Sequence, residues 1–394
     1  GKIEDVTFDI GFFPFYRISN PTPETEYLNK DNRVHITYNT ANFEGSDVDL
    51  QFFKSDNSLI SLYNGIYDLT RPGCKMNRVD DGNGLKSDIY AIKEDYRIVQ
   101  VRIGRFYNYI IPKFDSFPLG HVQFNIAVDF GTTNTHIALS SEEGSPVKFL
   151  IDENEMQTVP YSLHADSGGL TISERYAKEA LQALGSMQSI IHQFVPPIIG
   201  VGQNPYYDFP TRTVVSHAKN RGIHPLFTAN VAFYHSKDRI RPDETTESEL
   251  KWELSGKTDK QDLTQAYLEQ LLMMIKHKVV LNQGDPAKMK LIWFLPLSLD
   301  QPSMQFFKNN WSALINRVFP GVAVTLHQIS ESEAPFYLFQ RVGRVYGEEN
   351  TLCIDVGGGS TDVSFFEKGV PVFFTSFNFA GNTLWNNGYH GQNG

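Results

Sequence analysis

The chain has 394 residues, enough for two or three domains of ordinary size, and a small stapled fold is excluded. Lys and Arg total 35 against 45 Asp and Glu, a formal charge of −10 with no basic run, which argues against a nucleic-acid binder working through phosphate neutralisation. With 41% hydrophobic and 20% charged residues and a mean hydropathy of −0.31, the composition is that of a globular chain that stays in water.

The longest apolar stretch, 291–299, is interrupted by Pro296 and falls far short of the roughly 20 residues that cross a bilayer, so no transmembrane segment is expected. The opening Gly1-Lys2-Ile3-Glu4-Asp5 lacks a basic and then apolar leader. Cys74 and Cys353 have no CxxC or Cys/His ligand spacing, so both are expected to be reduced thiols in a cytoplasmic protein.

Residues 1–121 read as β-rich, with alternating or aromatic runs at 33–38, 48–53, 58–69, 87–92 and 96–113. Stretches such as Asp80-Asp81-Gly82-Asn83-Gly84 separate them. This predicts an all-β domain, an antiparallel sandwich. Phe12, Phe13, Phe15, Tyr16, Phe106, Tyr107 and Tyr109 are read as core and edge packing, with a ligand-binding face as the alternative.

Phe117-Pro118-Leu119-Gly120 marks a boundary. Beyond it, strands are predicted at 124–130, 135–140 and 147–151, then a helix from Ser173 with Tyr176, Ala177, Ala180, Leu181 and Leu184 on one face. Residues of about 190–260, with a strand-like run at 230–234, read as an insertion. From Asp262 an apolar stripe of Leu263, Tyr267, Leu268, Leu271, Leu272, Ile275 and Val279 predicts a helix leading to a strand at 290–295. Asp300 caps a helix with Pro302 in its first turn and Phe306, Phe307, Trp311, Leu314, Ile315 and Val318 on its apolar face. A strand at 322–326 and a helix over 331–346 complete an α/β unit of the ribonuclease-H type over 122–349. The same opening recurs at 351–356, 362–367 and 370–376, so 350–394 reads as the start of a second unit. Its sheet is expected to leave an apolar face bearing Phe365, Phe373 and Phe377 exposed or packed against a neighbour.

Each unit places an acid at a strand end directly before a Gly/Thr/Ser turn. The first is Asp129-Phe130-Gly131-Thr132-Thr133-Asn134-Thr135 and the second is Asp355-Val356-Gly357-Gly358-Gly359-Ser360-Thr361-Asp362. Small residues let backbone N–H groups approach an anion and the hydroxyls add donors, so such turns suit phosphates. Asp129 and Asp355 are candidate ligands of hydrated Mg²⁺, which takes oxygen ligands and keeps several waters. The duplicated grammar implies that the two acids face each other across one cleft.

Both turns resemble the phosphate-1 and phosphate-2 loops of the actin, heat-shock chaperone and sugar-kinase ATPase superfamily, over residues of about 122–387. Thr133-Asn134-Thr135-His136 and Gly359-Ser360-Thr361-Asp362 are most similar to the chaperone and bacterial actin-like branch. Gln157-Thr158-Val159-Pro160-Tyr161-Ser162, Leu295-Pro296-Leu297-Ser298, Ile329-Ser330-Glu331-Ser332-Glu333-Ala334 and Ala380-Gly381-Asn382-Thr383 resemble further segments of that branch. The resemblance implies an ATP/ADP site with Mg²⁺, lined by Gly131, Thr132, Thr133, Asn134, Gly357, Gly358, Gly359, Ser360, Thr361 and Gly381. It implies Glu331, with Glu333 as alternative, orienting the attacking water, and Asp362 assisting as base or Mg²⁺ partner. Of the lysine that chaperones carry in the first-half insertion, only Lys219 offers a faint match. The adenosine loop of relatives would lie downstream of residue 394, so the expectation is a fragment of a longer protein with an unfinished second lobe, or a protein whose nucleotide site is incomplete. The functions implied are slow ATP hydrolysis as a conformational switch for a protein client, a degenerate ATPase-fold scaffold, or a small-molecule kinase.

Overall fold

The computed structural model describes residues 8–39, 48–65, 70–80, 85–142, 144–150, 159–162, 209–218, 229–231, 244–252, 254, 256–295, 297 and 299–385. The N-terminal part runs β1 (Phe8–Phe13), β2 (Tyr16–Ile18), α1 (Tyr27–Lys30), β3 (Asn32–Asn39), β4 (Val48–Phe53), β5 (Tyr63–Asn64), β6 (Gly73–Asp80), β7 (Leu85–Ile92), β8 (Ile98–Ile103), β9 (Phe106–Ile110) and β10 (Asp115–Phe117). Then come β11 (Phe124–Phe130), β12 (Asn134–Ser141), β13 (Val147–Lys148), β14 (Val159–Ser162), β15 (Thr211–Arg212), β16 (Val214–Ala218), β17 (Ala229–Val231) and β18 (Glu244–Ser248). Helix α2 (Thr258–Leu281), β19 (Lys290–Leu295), α3 (Gln301–Val318), β20 (Thr325–Ser330) and α4 (Ala334–Arg341) follow. The chain continues as β21 (Thr351–Val356), β22 (Thr361–Glu367), β23 (Val370–Phe377) and α5 (Gly381–Trp385).

In the N-terminal part, a sheet of order β14-β1-β3-β7-β6-β5 and a second of order β4-β8-β9 share one core, in which Ile10, Val34, Ile36 and Tyr90 meet Leu50, Phe52 and Val99. Pairing is mostly antiparallel, but β2–β10 and β5–β6 run parallel, and β14 arrives from beyond residue 121 to pair with β1. Of the strand expected over 58–69 the described residues 58–65 form only β5, 66–69 lying outside the described residues, while β1, β2 and β6 were not anticipated. Phe12, Phe13, Phe15 and Tyr16 are buried, whereas Phe106, Tyr107 and Tyr109 on the edge strand β9 are exposed.

The central sheet has the order β13-β12-β11-β19-β20, with β11–β12 antiparallel and β11–β19–β20 parallel. This is the hairpin start extended by βα repeats that the sequence predicts. Asp300 caps α3 as expected, its Oδ1 accepting from Ser303 N at 2.9 Å. Several boundaries move: α2 starts at Thr258 rather than at 262, and of the strand expected over 147–151 the described residues form only Val147–Lys148. β20 starts at Thr325 rather than 322, because Thr325–Ser330 pairs with the whole of β19 while Val322 and Val324 pack on the core from the approach. Helix α4 covers 334–341 rather than 331–346, with Pro335 in its first turn and Gly343 at φ +69° just past its end. The predicted helix from Ser173 lies outside the described residues, as does most of the 190–260 insertion apart from the sheet β17-β16-β18 and the segment leading into α2.

Helix α2 was read as carrying one apolar stripe, yet it is buried on nearly all sides. Leu268, Leu271, Leu272 and Ile275 belong to the central core, while Val280 packs with Phe15, Tyr16 and Leu28 of the N-terminal part. Its polar residues therefore need partners. Glu269 accepts from Arg317 at 2.7 Å, and His277 Nδ1 lies 2.5 Å from the Tyr16 hydroxyl. Lys276 donates to Asp31 at 2.8 Å, and that carboxylate also accepts from Lys93 at 2.6 Å and Arg33 at 2.7 Å.

The sheet β21-β22-β23 is covered on one face by α4, where Phe336 stacks on Phe366 with ring centroids 3.8 Å apart. The other face leaves Leu352, Ile354, Val356, Phe373 and Phe377 exposed and Phe365 half-buried.

Burial alone would raise the Asp31 carboxyl, but Lys276, Lys93 and Arg33 hold it well below the usual range. Asp31→Asn should therefore cost roughly 3–5 kcal/mol by leaving buried cations unpaired. The contribution is present above the unfolded carboxylate pKa of about 3.9 and is lost as pH falls below it. Denaturant titrations of both proteins at neutral pH and near pH 3 check this: the difference between them should shrink at the lower pH.

Candidate functional site

Alternation along β11 buries Phe124, Ile126, Val128 and Phe130, so Asp129 emerges on the opposite side at the strand end, paired with His136. The turn that follows is tight, and a Cβ at Gly131 would sit 2.5 Å from Asn134 O. A buried hydroxyl chain supports it from below. Thr213 Oγ1 donates to Gly131 O at 2.7 Å, lies 2.9 Å from Thr135 Oγ1, and Thr135 in turn accepts from the Tyr267 hydroxyl of α2 at 2.8 Å. Burial pushes the Tyr267 phenol well up, so it stays a donor.

The second turn is closed by Gly357 N donating to Ser360 O at 2.9 Å. Gly381 N and Asn382 N donate to the carbonyls of Gly357 and Gly358, docking the 380–382 turn beneath it. Thr361 turns its hydroxyl to Phe379 O at 2.6 Å, so that side chain is not a free donor for an anion.

The two turns meet tip to tip. A Cβ at Gly358 would lie 1.8 Å from Thr133 Oγ1, and one at Gly359 would lie 2.6 Å from Thr132 Oγ1 and 2.7 Å from Trp252 Nε1. Glycine is required at both positions by the opposing threonines, where the sequence suggested approach to an anion. At the junction Thr133 Oγ1 donates across to Asn382 Oδ1 at 3.0 Å, while Trp252 Nε1 braces the first turn on its own wall by donating to Thr132 Oγ1 at 2.7 Å. The Asn382 Nδ2 donor is buried there without a partner.

Beside the junction stand Asp129, Asp355, Asp362 and Glu331, with Lys251 as their shared cation. Lys251 Nζ donates to Glu331 Oε1 at 2.6 Å and is almost fully buried. It is pinned by α2, whose Thr264 hydroxyl donates to Leu250 O at 2.8 Å. Asp362 accepts from Ser332 and Ser360, each at 3.2 Å, which ties the second sheet to the residue next to Glu331. Burial raises the Glu331 carboxyl to about 7 despite Lys251, with Asp129 and Asp362 adding to the rise. Asp129 is raised by burial first, relieved by Lys251 and His136, and raised further by Asp355 and Asp362. Asp355 is raised by partial desolvation and by Asp362. Among the described residues, no three His, Cys, Asp or Glu side chains converge closely enough to hold a metal by themselves.

The structure thus brings together Asp129, Asp355, Asp362, Glu331, Thr132, Thr133, Gly357, Gly358, Gly359, Ser360 and Gly381 around one junction. Asn134 lies at the start of β12, paired with Arg212 and exposed. Glu333 sits at the N-terminal end of α4, and Lys219 lies outside the described residues. Lys251, Trp252, Ser332, Asn382, Thr213 and Tyr267 were not singled out as site residues from sequence. A lysine from the insertion was sought, and Lys251 falls within 190–260, but no local pattern separates it from Lys219.

No protein-family model matches the chain, and no curated protein does. Among solved structures, MreB5 of Spiroplasma citri bound to ADP is 13% identical over 66% of this chain and 53% of that one, with a TM-score of 0.35. A Ppx/GppA family member of Aquifex aeolicus is 10% identical over 66% and 52%, with a TM-score of 0.26. Ta0583, an archaeal actin homolog, is 13% identical over 65% and 62%, with a TM-score of 0.27. These neighbours are actin-like ATPase superfamily proteins, and the chain spans about half the length of the first of them. At such TM-scores the overlap is partial, and strand order and turn geometry carry the reading.

A carboxyl raised to about 7 binds its proton in the folded state where the unfolded chain has lost it. Between about pH 4.5 and 7 this component of stability should therefore fall as pH rises, and Glu331→Gln should remove it. Denaturation midpoints at pH 5 and pH 8 check this: the wild type should lose more between the two than the variant.

Proposed function

We propose that the junction binds the phosphates of Mg-ATP and that the full protein hydrolyses the nucleotide slowly as a conformational switch. The observation that carries this is the convergence of two acid-plus-Gly/Thr turns on one point, with four carboxylates and one buried lysine beside them. The donor set suits the ligand: the Thr132 hydroxyl, which so far only accepts from Trp252, the orphaned Asn382 Nδ2 and Lys251 are groups that bind phosphate oxygens, and the Thr133 hydroxyl joins them once its bond to Asn382 opens. Carboxylates raised by burial and mutual repulsion suit a hard cation that keeps its waters, and Asp129 and Asp355 would hold hydrated Mg²⁺. When bound, the ion neutralises charge on the phosphates.

Glu331 would orient the attacking water and accept its proton, a role that a carboxyl near 7 can fill at neutral pH. Lys251 sets the charge that Glu331 feels, and Asp362, held by two serine hydroxyls, stands ready as the second base or ion partner. A cytoplasmic location and a protein client complete the proposal. No helix among the described residues is long and apolar enough to cross a membrane.

A second reading, the degenerate scaffold, has one observation in its favour: the Thr132 and Thr133 hydroxyls are already engaged by protein groups. The kinase reading has no observation of its own and would show itself as acceptor-dependent ADP release.

Calorimetric titration with Mg-ATP decides between the first two, with no binding favouring the scaffold. In the binding protein, Asp129→Ala should weaken Mg-dependent affinity by at least about tenfold, or ~1.4 kcal/mol. Glu331→Gln should leave binding within about twofold and slow single-turnover hydrolysis roughly a hundredfold. Equal binding losses in both variants would contradict the separation of roles.

A further inference from the structure

We propose that the Asn382 side chain is a two-position latch: its oxygen holds the two turns together, and its nitrogen takes a ligand phosphate once they part. The proposal rests on the nucleotide reading above and adds a step to it. Of the hydrogen bonds at the junction, the one from Thr133 Oγ1 to Asn382 Oδ1 joins a turn of the central sheet directly to the far wall, linking residues 249 positions apart. Trp252, by contrast, bonds Thr132 from the side of α2, on the same wall.

A phosphate cannot enter while that bond stands. A hydroxyl needs about 2.7 Å to a phosphate oxygen, with the rest of the group beyond it. Thr133 Oγ1 already lies 1.8 Å from where a Cβ would be at Gly358. Entry therefore requires the turns to separate, which breaks the Thr133–Asn382 bond. The loss leaves Asn382 with a free acceptor and the same unpartnered donor, Nδ2. Its backbone cannot serve, because the N–H of residue 382 is committed to Gly358 O at 2.7 Å. The amide side chain is the group left to pair with the incoming anion, and rotation about its last bond presents the nitrogen.

Aspartate and alanine separate the two halves of this idea. Aspartate keeps an acceptor for Thr133 but loses the donor and adds a negative charge, whereas alanine loses both. In the ligand-free protein, amide exchange of residues 131–134 and 357–359 should quicken about fivefold in Asn382→Ala and stay near wild type in Asn382→Asp. Titration with Mg-ATP should rank them the other way, with Asn382→Asp binding at least about tenfold more weakly than Asn382→Ala. A merely structural asparagine would give the same rank in both measurements, and that result overturns the latch, as does unchanged exchange in both variants. Failure of the wild type to bind Mg-ATP overturns the nucleotide reading and the ligand half of this one, while the exchange data still decide whether Asn382 holds the turns closed.

Discussion

Burial of α2 on nearly all sides is the constraint from which the rest of the structure follows. A helix in that position cannot leave its polar residues to water, so each must be answered from a neighbouring element. Glu269 is answered by α3, Lys276 by Asp31 at the end of α1, and His277 by Tyr16 of β2. The first half of the same helix supports the site: Tyr267 reaches under the first turn through Thr135, and Thr264 fixes the carbonyl next to Lys251. One element thus anchors the N-terminal sheets at one end and braces the candidate site at the other.

The site concentrates negative charge where burial makes charge expensive. Three of its carboxyls are pushed up, and the single lysine among them is nearly inaccessible. A structural ion pair needs only one acid, and the surplus is a standing cost to folding. Perturbed groups of this kind cluster at functional sites. A bound cation would relieve the surplus.

How much of this was legible in the sequence depends on where the information lies. Alternation with one buried face located β11 to the residue, an apolar run located β19, the repeat of the same strand-turn-strand opening located β21, and local cap chemistry fixed the start of α3. β20 was misplaced because its side chains are half-buried or exposed, so its pattern gives little contrast with the valines before it. The stripe on α2 was visible, but burial of Glu269, Lys276 and His277 was not, since it depends on partners more than forty residues away. Both turns could be found from their acids and glycines. Lys251 and Trp252, which complete the junction, come from a segment with no signature of its own; Asn382 lies in the 380–383 turn that the sequence did mark, but its side-chain role depends on Thr133 of the opposite wall, as the glycines at 358 and 359 answer to the threonines there.

The two walls of the junction are built to different standards. The first stands on the central core and on a helix shared with the N-terminal sheets. The second hangs on a stacked phenylalanine pair, the serine hydroxyls around Asp362 and the 380–382 turn, with its outer face open to water. Regions with few buried contacts open at a lower free energy than the molecule as a whole. The second wall is therefore the more compliant of the two, and under the proposed nucleotide reading a change in the gap between the turns would be taken up by that sheet.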